Sequence, residues 1–511
     1  MNESRSANPP TYSAIQIGVI VVVLLTGPLL PALQAVTNGV SSDATGALAV
    51  ALSMAFMVSF IQLAPMFVLS KRPEGLLHPL ILVALLWPMT LQLAGFAETV
   101  LSLLNGFEGG LLRPPQFAAL PEYRENDLWL AMAKHDALVA VSLICLYLGY
   151  FLASRGVAST NRMSRAGYTS GLRNVALTVC ALVVLSLAVF MVLQGGLLAH
   201  LASLAQGRAR ALEGLGPVVV AFDLGVVAVM LWIAWKPKAA TNPLFIASVL
   251  AMVIVQFISN GSRSSAVFAL ASVAITWSLR TGKLPQRLAG VVIPLGIVAL
   301  FVLAIIRSSG AYGQTAVEAL QEMEMSAVTE RMRTEVESRQ YLNGGVPLVV
   351  ESERFEGPLL GSTYFAAVVA WVPRPLWEDK PRGAGSRFTQ IAYNTDRDGF
   401  AVPIGAVAES YWNFGFAGVV LLHLLHGYLL ARLHRWWHRS RDAFVTVAFA
   451  LFLTQFSFTT DVLVPWMQKM AGLGLIFAIV VGLGIRRSIG QTIARARGHR
   501  AVGVRAHPAF F

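Results

Sequence analysis

The sequence predicts an all-α polytopic membrane protein of about twelve transmembrane helices with one large outer loop, and three observations predict it. First, 56% of the 511 residues are hydrophobic and 13% are charged, whereas an ordinary soluble domain carries about 25% charged residues. No globular core can hide that much hydrocarbon, so bilayer lipid is expected to be its solvent. Second, apolar stretches near the length of a spanning helix recur along the chain between polar turns. Third, the basic residues behind the net charge of +12 gather between alternate stretches. That is the pattern of cytoplasmic loops and not of a nucleic-acid surface.

A spanning helix needs about 20 mainly apolar residues. The stretches that meet or approach this run 13–36, 46–70, 77–104, 135–154, 174–195, 216–235, 243–259, 264–280, 288–306, 402–431, 443–460 and 463–485. Two long apolar regions are divided by polar breaks, one at Ser259-Asn260-Gly261-Ser262 and one around Asp461. With both termini inside, the inner segments hold Lys71 and Arg72, then Arg155, Arg162, Arg165 and Arg173, then Lys236 and Lys238. Arg280, Lys283 and Arg287 follow, then Arg432, Arg435, Arg439 and Arg441, and then an arginine-rich tail. The outer segments are poorer, with Arg113, Arg124, Lys134, Arg208, Arg210, Arg263 and Lys469. Met1 to Thr11 lacks a basic n-region and a cleavage site, so the first stretch is expected to be a retained span. Cys145 and Cys180 lie inside apolar runs, which indicates neither a disulfide framework nor a cysteine metal site. No repeat relates the two halves, which counts against a duplicated transporter.

The chain divides into a membrane bundle over 1–306, an outer loop over 307–400, further spans over 401–485 and a basic cytoplasmic tail over 486–511. Within the loop, 315–342 is rich in helix formers. Val317, Leu320, Met323, Val328, Met332 and Val336 recur there at helical spacing, predicting an amphipathic helix.

Three groups of outer residues carry possible chemistry. Pro373 and Pro375 flank Arg374 and stiffen its backbone. An arginine fork so held, with Lys380 nearby, suits an oxyanion and a diphosphate in particular. The competing reading pairs Arg374 with Glu378 or Asp379, with Trp371 and Trp377 as interface anchors. Arg263 stands almost within an apolar zone, where a cation is costly. Small neighbours such as Ser262 would let a phosphate approach backbone amides, and the alternative is a snorkelling arginine. Glu409 stands at the outer mouth of span ten beside Tyr411 and Asn413. A shielded carboxylate can serve as a general base, or Glu409 pairs with a loop arginine. His423 and His426, three apart on one helix, read as structural. For Asp223 in span six the expected partners are Arg208, Arg210 or Arg263. No metal site, phosphate loop or nucleophile elbow is found.

Several of these strings together resemble a known family. They are Gly361-Ser362-Thr363-Tyr364, Trp371-Val372-Pro373-Arg374-Pro375-Leu376-Trp377 to Lys380-Pro381, and Gly405 to Glu409 with Tyr411-Trp412-Asn413-Phe414-Gly415-Phe416-Ala417-Gly418. With the Gly261-Ser262-Arg263 turn, they resemble the Wzy-type oligosaccharide repeat-unit polymerases of O-antigen and exopolysaccharide synthesis. The resemblance covers about 257–418. It implies a GT-C-like fold in the bacterial inner membrane and no cofactor. The implied activity is polymerisation of undecaprenyl-diphosphate-linked repeat units at the periplasmic face. It further implies a lipid-linked oligosaccharide substrate, membrane lipids, a chain-length regulator and a flippase as partners, and no nucleic acid. Some members carry an Arg and a Gly separated by ten intervening residues on each of two periplasmic loops. Arg374 and Gly385 have that spacing here, whereas the positions matching Arg208 and Arg210 are Val219 and Ala221. On this basis Glu409 and Arg374 are the expected catalytic residues, and Arg263, Ser262, Lys380, Tyr411 and Asn413 the expected substrate contacts. An O-antigen ligase, a glycan transporter and a non-enzymatic scaffold are the rival functions.

Overall fold

The computed structural model describes residues 14–29, 32, 40–70, 74–86, 125–154, 172–196, 199–200, 216–260, 263–283, 349, 352–372, 376–393, 401–440 and 442–502. Among these residues the regular structure is helical, with no strand. The helices are α1 (Ala14–Leu24), α2 (Thr45–Leu69), α3 (Glu125–Ser154), α4 (Leu172–Leu193), α5 (Gly216–Trp235) and α6 (Pro243–Asn260). They continue as α7 (Arg263–Thr281), α8 (Ser362–Val368), α9 (Ala384–Tyr393), α10 (Gly405–Ser440), α11 (Ala443–Gln455) and α12 (Thr460–Val502).

Five of them are long and apolar enough to cross a membrane, over Ser42–Leu69, Asn126–Ser154, Leu172–Leu193, Gly405–Ser440 and Thr460–Gly482. Shorter apolar helices include Ala221–Trp235, Pro243–Ser259, Ser265–Thr281 and Ala443–Gln455. Eleven of the twelve stretches read from the sequence contain one of the helices α1 to α7 or α10 to α12 or the helical segment 79–86 wholly or in part, and span nine (288–306) lies outside the described residues. Most of span three and the amphipathic segment 315–342 lie outside them as well. Two boundaries differ from expectation. Helix α3 starts ten residues before the apolar stretch, at Glu125, and α12 runs on through the basic tail to Val502.

The packing separates into two groups. Helix α5 is the centre of one, with Phe222 and every residue from Val226 to Ala234 buried. Apart from Asp223 it is apolar all round, because α4, α6, α7, α11 and α12 surround it. In the other group α3 lies between α2 and α10. Ala47 and Ala51 cluster with Trp129 and Ala133, and further along Tyr147 donates its hydroxyl to the Ile61 carbonyl at 2.9 Å. Lys134 lies beside Tyr411 and Tyr150 beside His434. All three helices therefore run in the same direction. Glycine sets the close approach of α3 and α10: a Cβ on Gly149 would strike the Leu424 carbonyl, and one on Gly427 the Leu146 carbonyl.

The outward faces are hydrocarbon. Val192 and Leu193 on α4 are 77% and 74% exposed, and Val68 and Phe60 on α2 are 69% and 66% exposed. A patchwork of that kind is costly in water and fits a bilayer.

Polar residues inside the bundle are paired between helices. Lys469 Nζ lies 3.1 Å from Asp223 Oδ1, and Gln256 donates to the same oxygen at 3.0 Å, so α5, α6 and α12 meet at one carboxylate. Lys469, nine residues inside α12, is the cation seen beside Asp223, a partner the sequence did not suggest, while Arg208, Arg210 and the Arg263 side chain lie outside the described residues. A buried carboxylate takes the cation that the tertiary fold brings to it, whatever the distance in sequence. On α7 and α11, Ser272 Oγ lies 2.9 Å from Thr454 Oγ1 and accepts from Gln455 at 2.9 Å.

Candidate functional site

Two of the strings that carried the resemblance, Gly361 to Tyr364 and Gly405 to Gly418, come together at the end of the bundle where α10 begins. Their scaffold is a small second core. Phe355, Leu359, Ala384, Phe388, Val402, Ile404, Val407, Ala408 and Trp412 are buried together there, with Ala131 and Leu138 of α3 behind them. The segments 352–372 and 376–393 are thus folded onto α10 and α12. Backbone bonds seat it: Leu359 and Leu360 donate to the Trp412 and Asn413 carbonyls, each at 3.0 Å. Trp412 in turn donates its indole N–H to the Phe355 carbonyl at 2.8 Å.

Helix α10 would ordinarily continue evenly through this contact. Gly415 instead has φ of 61° and ψ of −153°, which breaks the helix. That left-handed φ is cheap only for glycine. The break leaves Glu409 and Asn413 on the short segment that faces α8.

Glu409 is fully buried and both of its carboxylate oxygens are occupied. Thr363 donates to Oε1 at 2.8 Å. Oε2 accepts from the Thr459 hydroxyl at 2.9 Å, the Thr460 backbone N–H at 2.9 Å and the Thr460 hydroxyl at 3.3 Å. Hydroxyls and an amide thus hold this carboxylate in the cluster, where the sequence suggested either an open base or an arginine partner. Asn413 extends the network. Its side-chain NH2 donates to Thr363 Oγ1 and to the Glu409 carbonyl, each at 2.8 Å, and its Oδ1 accepts from Gly361 N–H at 3.0 Å.

Asp461, the residue after Thr460, is the second carboxylate. Its buried Oδ2 has no hydrogen-bond partner among the described residues. Gly385 faces it: a Cβ there would come within 2.8 Å of Asp461 Oδ2 and 2.9 Å of the Val402 carbonyl. Only a hydrogen fits. Ala384 N–H donates to Thr460 Oγ1 at 3.0 Å, which ties α9 to the same corner.

Lys380 donates to the carbonyls of Ala370 and Val372 at 3.1 and 2.9 Å. It therefore clamps the chain immediately before Pro373. Arg387 pairs with Glu356 at 2.9 Å and lies 3.3 Å from Ser362 Oγ. Tyr411 is half-buried, with Lys134 Nζ 5.8 Å from its ring centroid.

The chain matches no protein-family model, no curated protein and no solved structure.

Of the site residues expected from the sequence, the structure brings Glu409, Asn413 and Lys380 to one end of the bundle, with Tyr411 next to them. Arg374 and Ser262 lie outside the described residues, and Arg263 is placed as the first residue of α7 by its backbone alone. Sequence reasoning missed Thr363, Thr459, Thr460, Asp461 and Arg387. For Asp461 a signal existed, since an acid between two apolar stretches is costly unless used. The threonines gave none, because a hydroxyl becomes meaningful only when a partner is seen. His423 and His426 are buried in α10, with His426 edge-on to Phe452, Phe456 and Phe458.

Beside the polar cluster lies an apolar shelf. Leu360, Phe365, Val368, Trp371, Leu376 and Trp377 are all exposed, with Phe365 and Trp377 in edge contact at 6.4 Å.

Proposed function

We propose that this chain polymerises lipid-diphosphate-linked oligosaccharide repeat units at the outer face of a bacterial inner membrane, as the Wzy-type resemblance implies. The observation that carries the reading is the junction of a buried Glu409–Thr363–Asn413 network with an exposed apolar shelf. A substrate with a polar glycan diphosphate and a long hydrocarbon tail needs both surfaces side by side. The common direction of α2, α3 and α10 also suits the proposal that each enters from the outer side, as spans two, four and ten.

In the proposed reaction the growing chain on undecaprenyl diphosphate is the donor. A hydroxyl of the incoming lipid-linked unit attacks the anomeric carbon. The bond from that carbon to the diphosphate oxygen breaks, the diphosphate leaves with the electron pair, and the hydroxyl proton passes to a carboxylate. Arg374, which stands between two prolines in the sequence and follows the turn that Lys380 clamps, would stabilise the charge that develops on the diphosphate. Arg263 would add a second cation.

The two carboxylates divide the remaining work. Glu409, with four donors on it, holds the three threonines and so fixes α8 and the start of α12. Asp461, with one oxygen unpartnered among the described residues, is the better proton acceptor. Tyr411 and Asn413 shape the acceptor side, Asn413 by positioning Thr363 and not by direct contact.

The test is a lipid-linked glycan profile of a deletion strain complemented with the wild-type chain or with Arg374→Ala. Single repeat units in the deletion strain, and failure of the variant to restore long chains, support the proposal. Long polymer accumulating on the lipid carrier would transfer the reading to a ligase or an exporter.

A further inference from the structure

At the opposite end of α10 a different group of side chains converges. His434 and His438 are one turn apart and share a helix face. Glu74 reaches them from the turn that precedes His78, with its Oε1 3.1 Å from His438 Nε2. One ligand atom from each of Glu74, His434 and His438 lies within 4.8 Å of the others. His434 is buried, and the Glu74 and His438 side chains are 20% and 34% exposed. Behind them, the Tyr150 hydroxyl lies 2.7 Å from His434 Nδ1 and 3.5 Å from His78 Nε2, and His78 Nδ1 accepts from Leu80 N–H at 3.3 Å.

We infer that Glu74, His434 and His438 form a binding site for a divalent transition-metal ion of the zinc class, which clips the 74–78 turn to the end of α10. The donor set is two imidazoles and one carboxylate, the borderline ligands that zinc takes. Histidines four apart on a helix present two nitrogens to one point. Around a tetrahedral ion such donors stand about 3.3 Å apart, so the side chains need to close by at most about 1.5 Å. The second shell is also built. A histidine bound through Nε2 must carry its proton on Nδ1 and give it to a partner, and the Tyr150 oxygen stands at that position. The Glu74 charge offsets that of the ion, and three protein ligands leave a fourth position for water.

The site is separate from the transfer chemistry. Glu409 lies before the Gly415 break and His434 nineteen residues after it, roughly 28 Å of helix at 1.5 Å per residue. No sequence pattern announced it, because Glu74 and His434 are 360 residues apart.

The experiment uses the full chain, purified in detergent through a tag that contains no histidine. After chelator treatment it is equilibrated with Zn2+, or with Co2+ as a spectroscopic probe, and its metal content is measured. One zinc per chain and the visible absorption of four-coordinate Co2+ are the expected results. His434→Ala and His438→Ala should each abolish the Co2+ spectrum. Tyr150→Phe, which keeps all three ligands, should weaken binding about 10- to 100-fold. Wild-type protein that retains no more zinc than the His434→Ala/His438→Ala double variant overturns the inference. So does metal bound equally by a wild-type and a Glu74→Ala chain that both elute as single sharp species.

Discussion

Thr460 donates twice to one oxygen of Glu409, from its backbone N–H at 2.9 Å and from its hydroxyl at 3.3 Å. The first turn of α12 is thereby anchored to the second turn of α10. The residue next in sequence, Asp461, is held where Gly385 leaves room for it. One carboxylate is committed to structure so that another can be placed.

That division separates two substitutions. Glu409→Gln puts an NH2 where one oxygen accepts, so at least one donor of Thr363, Thr459 or Thr460 loses its acceptor in a buried site. A loss of about 1–3 kcal/mol is expected together with loss of polymer. Asp461→Asn changes no hydrogen bond seen among the described residues. It should leave thermal unfolding in detergent nearly unchanged while polymer disappears. Normal polymer from a well-folded Asp461→Asn chain removes this residue from the chemistry.

Lys380 acts on the turn before Arg374 through two carbonyls. Lys380→Met keeps most of the side-chain bulk and removes both bonds. Misplacing a charged group by about 1 Å can cost about 10²-fold in rate. Polymer yield should therefore fall by about that factor at an unchanged protein level, measured by glycan profile against immunoblot. Undiminished polymer would leave the lysine with a packing role only.

The Asp223–Lys469 pair is nearly buried on both sides. Lys469→Met strands the carboxylate and should cost about 3–5 kcal/mol, whereas the double change Asp223→Asn with Lys469→Met should recover most of it. A double-mutant comparison by chemical or thermal unfolding measures this directly. Equal losses in the single and double variants would show that the pair contributes little.

Glycines divide by what surrounds them. Gly427→Val drives a side chain into the Leu146 carbonyl and should cost about 3 kcal/mol or more, seen as loss of a monodisperse species. Gly474 in α12 has nothing within 4 Å of an added Cβ. Gly474→Ala should stabilise the chain by about 0.5–1 kcal/mol through helix propensity alone. If both substitutions behaved alike, the close α3–α10 contact would not be what holds these helices.

His200 gives a pH dependence. It is buried against Phe190, and its Nε2 lies 2.9 Å from the Ile258 carbonyl. Burial, outweighing that hydrogen bond, lowers its pKa below the ordinary value. The unfolded chain therefore binds more protons just below about pH 6.5. This contribution to stability is fully present above that pH and is lost as pH falls toward the folded value. His200→Gln should flatten the decline in unfolding temperature over this range. An unchanged slope would assign the acid sensitivity to other groups.

The sequence by itself determined the class of molecule and most of its helices. Apolar length and the spacing of basic clusters are local properties, and α2, α4, α5, α6 and α7 lie within a few residues of where those signals put them. It also singled out Glu409, because a carboxylate beside an apolar span is conspicuous wherever it is later placed. The tertiary structure alone decided the partners. Thr363, Thr459 and Thr460 converge on Glu409 from segments about fifty residues to either side of it. Lys469 reaches Asp223 across some 246 residues, and Glu74 reaches His438 across 364. Polar pairing in an apolar interior is set by which helices pack together, and packing is a property of the whole chain. The signals read from sequence are properties of one helix at a time.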